Sequence, residues 1–246
     1  MLKATVKRLL RRTGVKTKRR LPPDFDQESI DIFDRVRPYT MTSPERAFAL
    51  IQAVKYVVSA SVPGSIVECG VWQGGSMMAV AYALQALNRS DRDLYLFDTF
   101  EGMARPTDAD VAYTGATALP EFETKKTGQD SSEWCRASVE DVRANLLRTG
   151  YDKDRLQFIK GKVEDTIPDS APSEISILRL DTDWYESTRH ELIHLYPRLA
   201  KGGVLIIDDY GYWQGCRKAV DEYFAQQKEP ILLNRVDHTG RIGVKL

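Results

Sequence analysis

The sequence predicts an α/β protein built on a doubly wound, mainly parallel sheet, and three observations carry that reading. Short apolar runs alternate with amphipathic stretches: Ser65 to Cys69, Leu94 to Phe97, Leu156 to Ile159, Ile175 to Leu180 and Val204 to Ile207 read as buried strands. A glycine-rich turn, Gly70-Val71-Trp72-Gln73-Gly74-Gly75-Ser76, follows the first run. Three of the runs end in acids, at Asp98, Asp181 and Asp208-Asp209. Open parallel sheets place their sites at the carboxyl ends of strands, so these acids mark the expected site.

The elements follow in order. Thr42-Ser43-Pro44-Glu45 starts the first expected helix, a hydroxyl cap followed by proline in the first turn. Ala47, Leu50, Ile51, Val54, Val57 and Val58 form its apolar stripe, and Pro63-Gly64 ends the element. Further helices are expected over Ser76 to Leu87, Val139 to Leu147, Ser187 to Leu199 and Cys216 to Phe224. Gly202-Gly203 should turn into the strand at Val204, and Ile231 to Leu233 and Ile242 to Leu246 read as closing strands. Between Thr99 and Ser132 no period is sustained. A loop of that length inside a compact domain is usually functional or disordered, and a lid segment is expected over about residues 99–137. Residues 40–246 are expected to form one domain, preceded by a basic N-terminal extension over 1–39.

Composition narrows the classes. Lys and Arg total 35 and Asp and Glu 35, yet the first twenty residues hold nine basic side chains and no acid. Such a segment can contact anionic membrane surfaces, whereas the lack of interleaved aromatic residues speaks against nucleic acid. Three widely spaced cysteines, Cys69, Cys135 and Cys216, suit a reduced protein rather than a disulfide framework. No apolar run reaches the roughly 20 residues needed to span a bilayer, and the start lacks a secretory signal pattern. A cytoplasmic location is the expectation, and a homo-oligomer is compatible with it.

The glycine turn has the spacing G-x-x-x-G-G, not the dinucleotide fingerprint G-x-G-x-x-G, which favours a nucleoside cofactor without a pyrophosphate. Asp98 ends the second strand, where ribose hydroxyls are held; a helix cap or a surface acid is its alternative. Asp181 and Asp183 end one strand and Asp208 and Asp209 another. Converging carboxylates repel unless a cation lies between them, and a hard divalent ion, Mg²⁺ above all, suits oxygen ligands. Such an ion lowers the pKa of a bound hydroxyl. Asp183 as a helix cap and Asp209 as a loop pin are the structural alternatives. His190-Glu191-Leu192-Ile193-His194 matches the zinc peptidase pattern H-E-x-x-H, but Pro197 stands where its extended form needs glycine and no third ligand follows.

Taken together, Thr40-Met41-Thr42-Ser43-Pro44-Glu45-Arg46, Val67-Glu68-Cys69-Gly70, Phe97-Asp98-Thr99-Phe100-Glu101-Gly102, Leu178-Arg179-Leu180-Asp181-Thr182-Asp183-Trp184-Tyr185 and Ile207-Asp208-Asp209-Tyr210 resemble the macrocin O-methyltransferase family, from about Thr40 to the C-terminus. The resemblance implies a Rossmann-like class I methyltransferase using S-adenosylmethionine and Mg²⁺ on a hydroxyl of a deoxysugar or other glycan. By motif it assigns Asp181, Asp208 and Asp209 to the metal, with Asp181 also the base. Glu68, Gly70, Ser76 and Asp98 become cofactor contacts, with Thr42 and Ser43 near the methionine carboxylate. Two positions depart from the family pattern: Thr182 replaces a glycine between the acids, and residues 99–140 lack the family's lid histidine. A catechol or phenol acceptor is the alternative that uses the same metal chemistry.

The basic segment lies outside every motif, so a chain beginning at Pro22 is expected to keep turnover on a soluble acceptor. Liposome flotation and an activity assay check this; collapsed activity with the fold intact would place the segment in the site.

Overall fold

The computed structural model describes residues 21–246, and the basic run at residues 1–20 lies outside the described residues. Five parallel strands form the body of the sheet: β1 (Ser65–Cys69), β2 (Leu94–Asp98), β3 (Leu156–Lys160), β4 (Ile175–Leu180) and β5 (Leu199–Ile207). Two short antiparallel strands, β6 (Asn234–Arg235) and β7 (Arg241–Val244), complete the order β3-β2-β1-β4-β5-β7-β6. The chain winds from β1 through β2 to β3 in one direction and returns to place β4 and β5 on the other side. The crevice beyond the carboxyl ends of β1 and β4 is therefore the topological switch point, where doubly wound sheets bind ligands.

Strand side chains alternate between two faces, and each face has its own core. Ile66, Leu94, Leu96, Ile177 and Ile206 pack under α1 (Gln27–Val36), α2 (Pro44–Ser59) and α3 (Gly75–Ala86). Val67, Phe97, Leu178, Leu205 and Ile207 meet the opposite layer, which includes α7 (Tyr185–Leu195) and α8 (Gln214–Ala225). The remaining helices are α4 (Leu119–Lys125), α5 (Val139–Leu147) and the single turn α6 (Val163–Thr166). Among the described residues no helix is long and apolar enough to cross a membrane.

Several boundaries differ from expectation. Ile231 to Leu233 form no strand; the pairing falls at Asn234–Arg235 instead. β5 runs straight through Gly202-Gly203 from Leu199, because the Gly202 amide donates to the Lys245 carbonyl and the Lys245 amide to the Gly203 carbonyl at that edge. The stretch assigned as a lid contains α4, whose Phe122 is fully buried.

The described part of residues 1–39, expected only as a basic extension, carries a packed helix. Ser29, Ile32, Phe33 and Val36 fall at i, i+3, i+4 and i+7 of α1 and are all buried, a helical stripe packed on α2 and α3. Asp26 caps this helix, accepting from the Ser29 amide at 2.8 Å, and also pairs with Lys55 of α2 at 3.1 Å. Slight burial pushes the Asp26 carboxyl up, but the Ser29 amide, Lys55 and the Ser29 hydroxyl outweigh it and bring the pKa down to about 2.

Asp26→Ala should cost about 1 kcal/mol at pH 7, the usual worth of an N-cap. A carboxyl whose pKa is lower folded than unfolded stabilises above its unfolded value and loses that contribution as pH falls through its folded one. The gap between wild type and variant in urea unfolding should therefore be full above about pH 4 and close towards pH 2.

Candidate active site

The site is laid out by the pleat. Residues 66 and 68 of β1, residues 177 and 179 of β4 and residue 206 of β5 share one face, and the ladder continues past the strand ends. Glu68 stands opposite Arg179, and Arg179 opposite Ile206. The Asp181 amide donates to the Cys69 carbonyl at 2.8 Å, and the Asp208 amide to the Leu180 carbonyl at 2.9 Å. Glu68, Arg179, Asp181 and Asp208 thus meet under α2.

Arg179 joins them. One guanidinium nitrogen donates to Glu68 and to Asp181 at 2.6 Å, and the other to Asp208 at 2.6 Å. The second oxygen of Asp208 pairs with Arg46 from α2, which also reaches Asp237 at 3.1 Å. Sequence reading placed the acids but overlooked both arginines. An arginine inside the apolar run Ile-Leu-Arg-Leu, two residues before an acid, was the available signal.

Asp181, Asp208 and Asp209 each offer a carboxylate oxygen, and these lie within 4.8 Å of one another. Among the described residues this is the one such group of three or more potential ligands. Burial drives the Asp181 carboxyl up to about 7; Arg179 pulls it down, and Asp209 adds to the rise. Asp183, which the predicted ligand set left out, belongs to the cluster. Burial raises it to about 7 despite the Asp209 and Trp213 side chains that face it. Burial and the Asp183 charge push Asp209 far above the carboxylate range, and its Oδ2 is buried with no partner. The geometry suits one cation: several oxygens converge, one of them orphaned, with too few positive neighbours.

A cleft of about 180 Å³ opens beside this cluster, lined by Gly70, Asp98, Gly161, Lys162 and Asp181 and by Met103 to Arg105 of the segment expected as a lid. Asp98 lines it, but its oxygens accept from the amides of Val71 and Phe100 at 2.7 Å and of Trp72 at 3.2 Å, which shapes the glycine turn. Glu68 is buried; burial lifts its carboxyl to about 7 against the pull of Arg179, and its Oε2 is left without a partner. Ser76 sits beside it in the first turn of α3. The Thr42 hydroxyl is likewise buried and unpartnered. Ser43 is differently employed: its hydroxyl accepts from the Arg46 amide to cap α2 and donates to Asp237 at 2.7 Å. Gly70, at φ +79°, is needed for the sheet itself, since a Cβ there would collide with the Asp181 carbonyl.

The H-E-x-x-H stretch forms no metal site. Glu191 is fully buried and accepts from the Thr182 hydroxyl at 2.9 Å, so Thr182 ties the acid loop to α7. His190 bonds the Ile167 carbonyl at 2.9 Å, on the other side of the helix layer. Trp134 meets Trp184 and Trp213, which come from the two acid loops, with ring centroids 5.8 and 6.4 Å away. Of these three rings, Trp184 also lines the cleft.

A doubly wound sheet with a glycine turn, a strand-end acid and a cleft at the switch point defines a class I methyltransferase using S-adenosylmethionine. Residues 10–242 match the family model Macrocin-O-methyltransferase (TylF), and the chain belongs to that family of O-methyltransferases. It is 33% identical over 211 residues to the 8-demethyl-8-(2,3-dimethoxy-alpha-L-rhamnosyl)-tetracenomycin-C 4'-O-methyltransferase of Streptomyces olivaceus, covering 82% of this chain and 74% of that protein. It is also 33% identical over 202 residues to the demethyldecarbamoylnovobiocin O-methyltransferase of Streptomyces niveus, with the same coverage, 82% and 74%. The solved structure of the O-methyltransferase NovP superposes with a TM-score of 0.74 at 30% identity, over 84% of this chain and 82% of that one.

Replacing Arg179 by Met should leave three carboxylates around an apolar stem and destabilise the fold by about 3–5 kcal/mol, the cost of breaking a buried ion pair from one side. Urea unfolding at pH 7.5 checks this; a loss below about 1 kcal/mol would show that Arg179 is not the tie.

Proposed function

We propose that this enzyme methylates a hydroxyl of a sugar carried on a small molecule, with one Mg²⁺ held by Asp181, Asp208 and Asp209. The observation that carries the metal is the convergence of these carboxylates around a buried, unpartnered Asp209 oxygen. The sugar rests on the relatives, one of them named for a rhamnosyl 4'-O-methylation and another as mycinamicin III 3''-O-methyltransferase.

Asp181 is the residue for the proton. It lines the cleft and belongs to the acid cluster, so it faces both methyl donor and acceptor. Burial raises its carboxyl, which strengthens it as a base, while a bound cation would keep it ionised and ready to accept a proton. The acceptor oxygen forms its bond to the methyl carbon while the carbon–sulfur pair leaves with sulfur, and the hydroxyl proton passes to Asp181. When bound, the cation supplies Lewis-acid polarisation that lowers the hydroxyl pKa. The orphaned Glu68 oxygen suits the cofactor's ammonium and the Thr42 hydroxyl its carboxylate, and Gly70 and Asp98 line the cleft. These fixed groups hold donor and acceptor in line, which removes much of the orientational cost of a bimolecular step.

Chelation by EDTA should abolish turnover, and Mg²⁺ should restore it. Asp181→Asn should lose about 10²- to 10⁴-fold in kcat, the worth of a general base, while S-adenosylhomocysteine affinity by calorimetry stays nearly unchanged. His194→Ala should be mild. Parallel assays on rhamnosides and on catechol distinguish the acceptor class. Activity that survives EDTA, or that returns only with Zn²⁺, overturns the metal reading; faster turnover of catechol overturns the sugar.

A further inference from the structure

Asp110 stands in the lid stretch, outside every motif, and is completely buried. Its Oδ1 accepts the Tyr185 amide at 2.8 Å, and its Oδ2 accepts the Thr107 amide at 2.7 Å and the Thr107 hydroxyl at 2.9 Å. Tyr185 opens α7, and the preceding Trp184 offers no side-chain cap, so the lid supplies one from 75 residues away. A fully buried carboxylate persists when its oxygens are satisfied in this way. Tyr185 lies two residues beyond Asp183, whose φ of +70° is a conformation that an aspartate holds only under outside constraint.

The same segment is stitched to the second acid loop. The Tyr113 amide donates to the Tyr212 carbonyl at 2.7 Å, and the Tyr212 amide in turn donates to the Asp209 carbonyl at 2.9 Å. The Gln214 amide donates to the Val111 carbonyl at 2.8 Å. Gly215 follows, and a Cβ there would strike the Asp110 carboxylate, so the start of α8 is shaped to admit this side chain. One residue therefore anchors a strap joining the loop after β4 to the loop after β5.

We propose that Asp110 is a positioning residue that sets the spacing of Asp181 and Asp183 against Asp208 and Asp209, and through it the affinity of the cation site. The inference rests on the metal reading above. Residues that orient ligands without touching the ion typically cost 10- to 100-fold in metal affinity when lost.

The test is Mn²⁺ titration of the full chain by electron paramagnetic resonance, with S-adenosylhomocysteine affinity measured in parallel by calorimetry. Asp110→Ala should weaken Mn²⁺ binding about tenfold and cofactor affinity by less than about threefold. Asp110→Asn, which keeps an oxygen for Tyr185, should fall between and covers the case where the alanine variant does not fold. Asp26→Ala removes a cap on a helix that carries none of the acids; it should lower Tm without changing Mn²⁺ affinity. Unchanged Mn²⁺ affinity in both Asp110 variants, or equal loss of Mn²⁺ and cofactor affinity, overturns the positioning role. A wild type that binds no Mn²⁺ overturns the metal reading instead.

Discussion

Arg179 lies near the carboxyl end of β4, a buried strand whose other residues are apolar except Ser176, and its guanidinium is shared by carboxylates from three neighbouring strands: Glu68 within β1, Asp181 after β4 and Asp208 after β5. Burying any one of those acids alone would carry a desolvation cost of several kcal/mol. Around a single planar cation with five donors, the geometry of all three is set together. The arrangement depends on strand register, since a slip of one residue would send Arg179 to the α7 face and leave the acids without it. The sheet and the site therefore depend on the same contacts. Arg46 extends the tie to α2 and, through Asp237, to the β6–β7 hairpin.

Much of this was legible in the sequence. Continuous apolar runs marked the five parallel strands because both of their faces are covered, and the acids at their ends followed from the fold class. The Ser43-Pro44 start of α2 was legible because capping is local chemistry. α1 was missed although its stripe and its Asp26 cap are equally local, since the neighbouring basic run drew the whole segment into one compositional reading. The roles of Arg179, Asp110 and Glu191 could not be read in the same way. Arg179 and Asp110 meet partners that are distant in sequence, Asp110 and Tyr185 being 75 positions apart, and Glu191 meets Thr182 across the turn from β4 to α7. Only the β1–β4–β5 order tells which charges end side by side. The H-E-x-x-H stretch shows the converse error: its spacing is right for zinc on a helix, yet the packing of α7 turns Glu191 into the core.

Thr182 links these observations. Its side chain lies on the opposite side of the strand end from Arg179, and it spends its hydroxyl on Glu191. The two faces of the strand end thus do different jobs: one binds the acids to arginine, the other fixes the backbone that carries them. A glycine at 182 would leave Glu191 without this donor. Thr182 is thus tied into the helix layer while also lining the cleft beside Asp181.

The charge balance indicates where the site is left open. Glu68, Asp181, Asp183, Asp208, Asp209 and Asp237 make six carboxylates, and Arg179 and Arg46 are the two cations that face them, a shortfall of four charges if all are ionised. The shortfall is uneven. Among the described residues no basic side chain lies within salt-bridge distance of Asp183 or Asp209, whereas Glu68 and Asp208 are held directly. Asp181 stands between these groups, with one oxygen on Arg179. In such a cluster the acids can relieve their repulsion by taking up protons, which is the direction in which Asp181, Asp183 and Asp209 are all displaced, or by sharing a divalent ion. The second route keeps Asp181 ionised and able to accept a proton at neutral pH. The acids without an arginine, Asp183 and Asp209, thus lie on the side of the cluster that the proposed cation would have to neutralise.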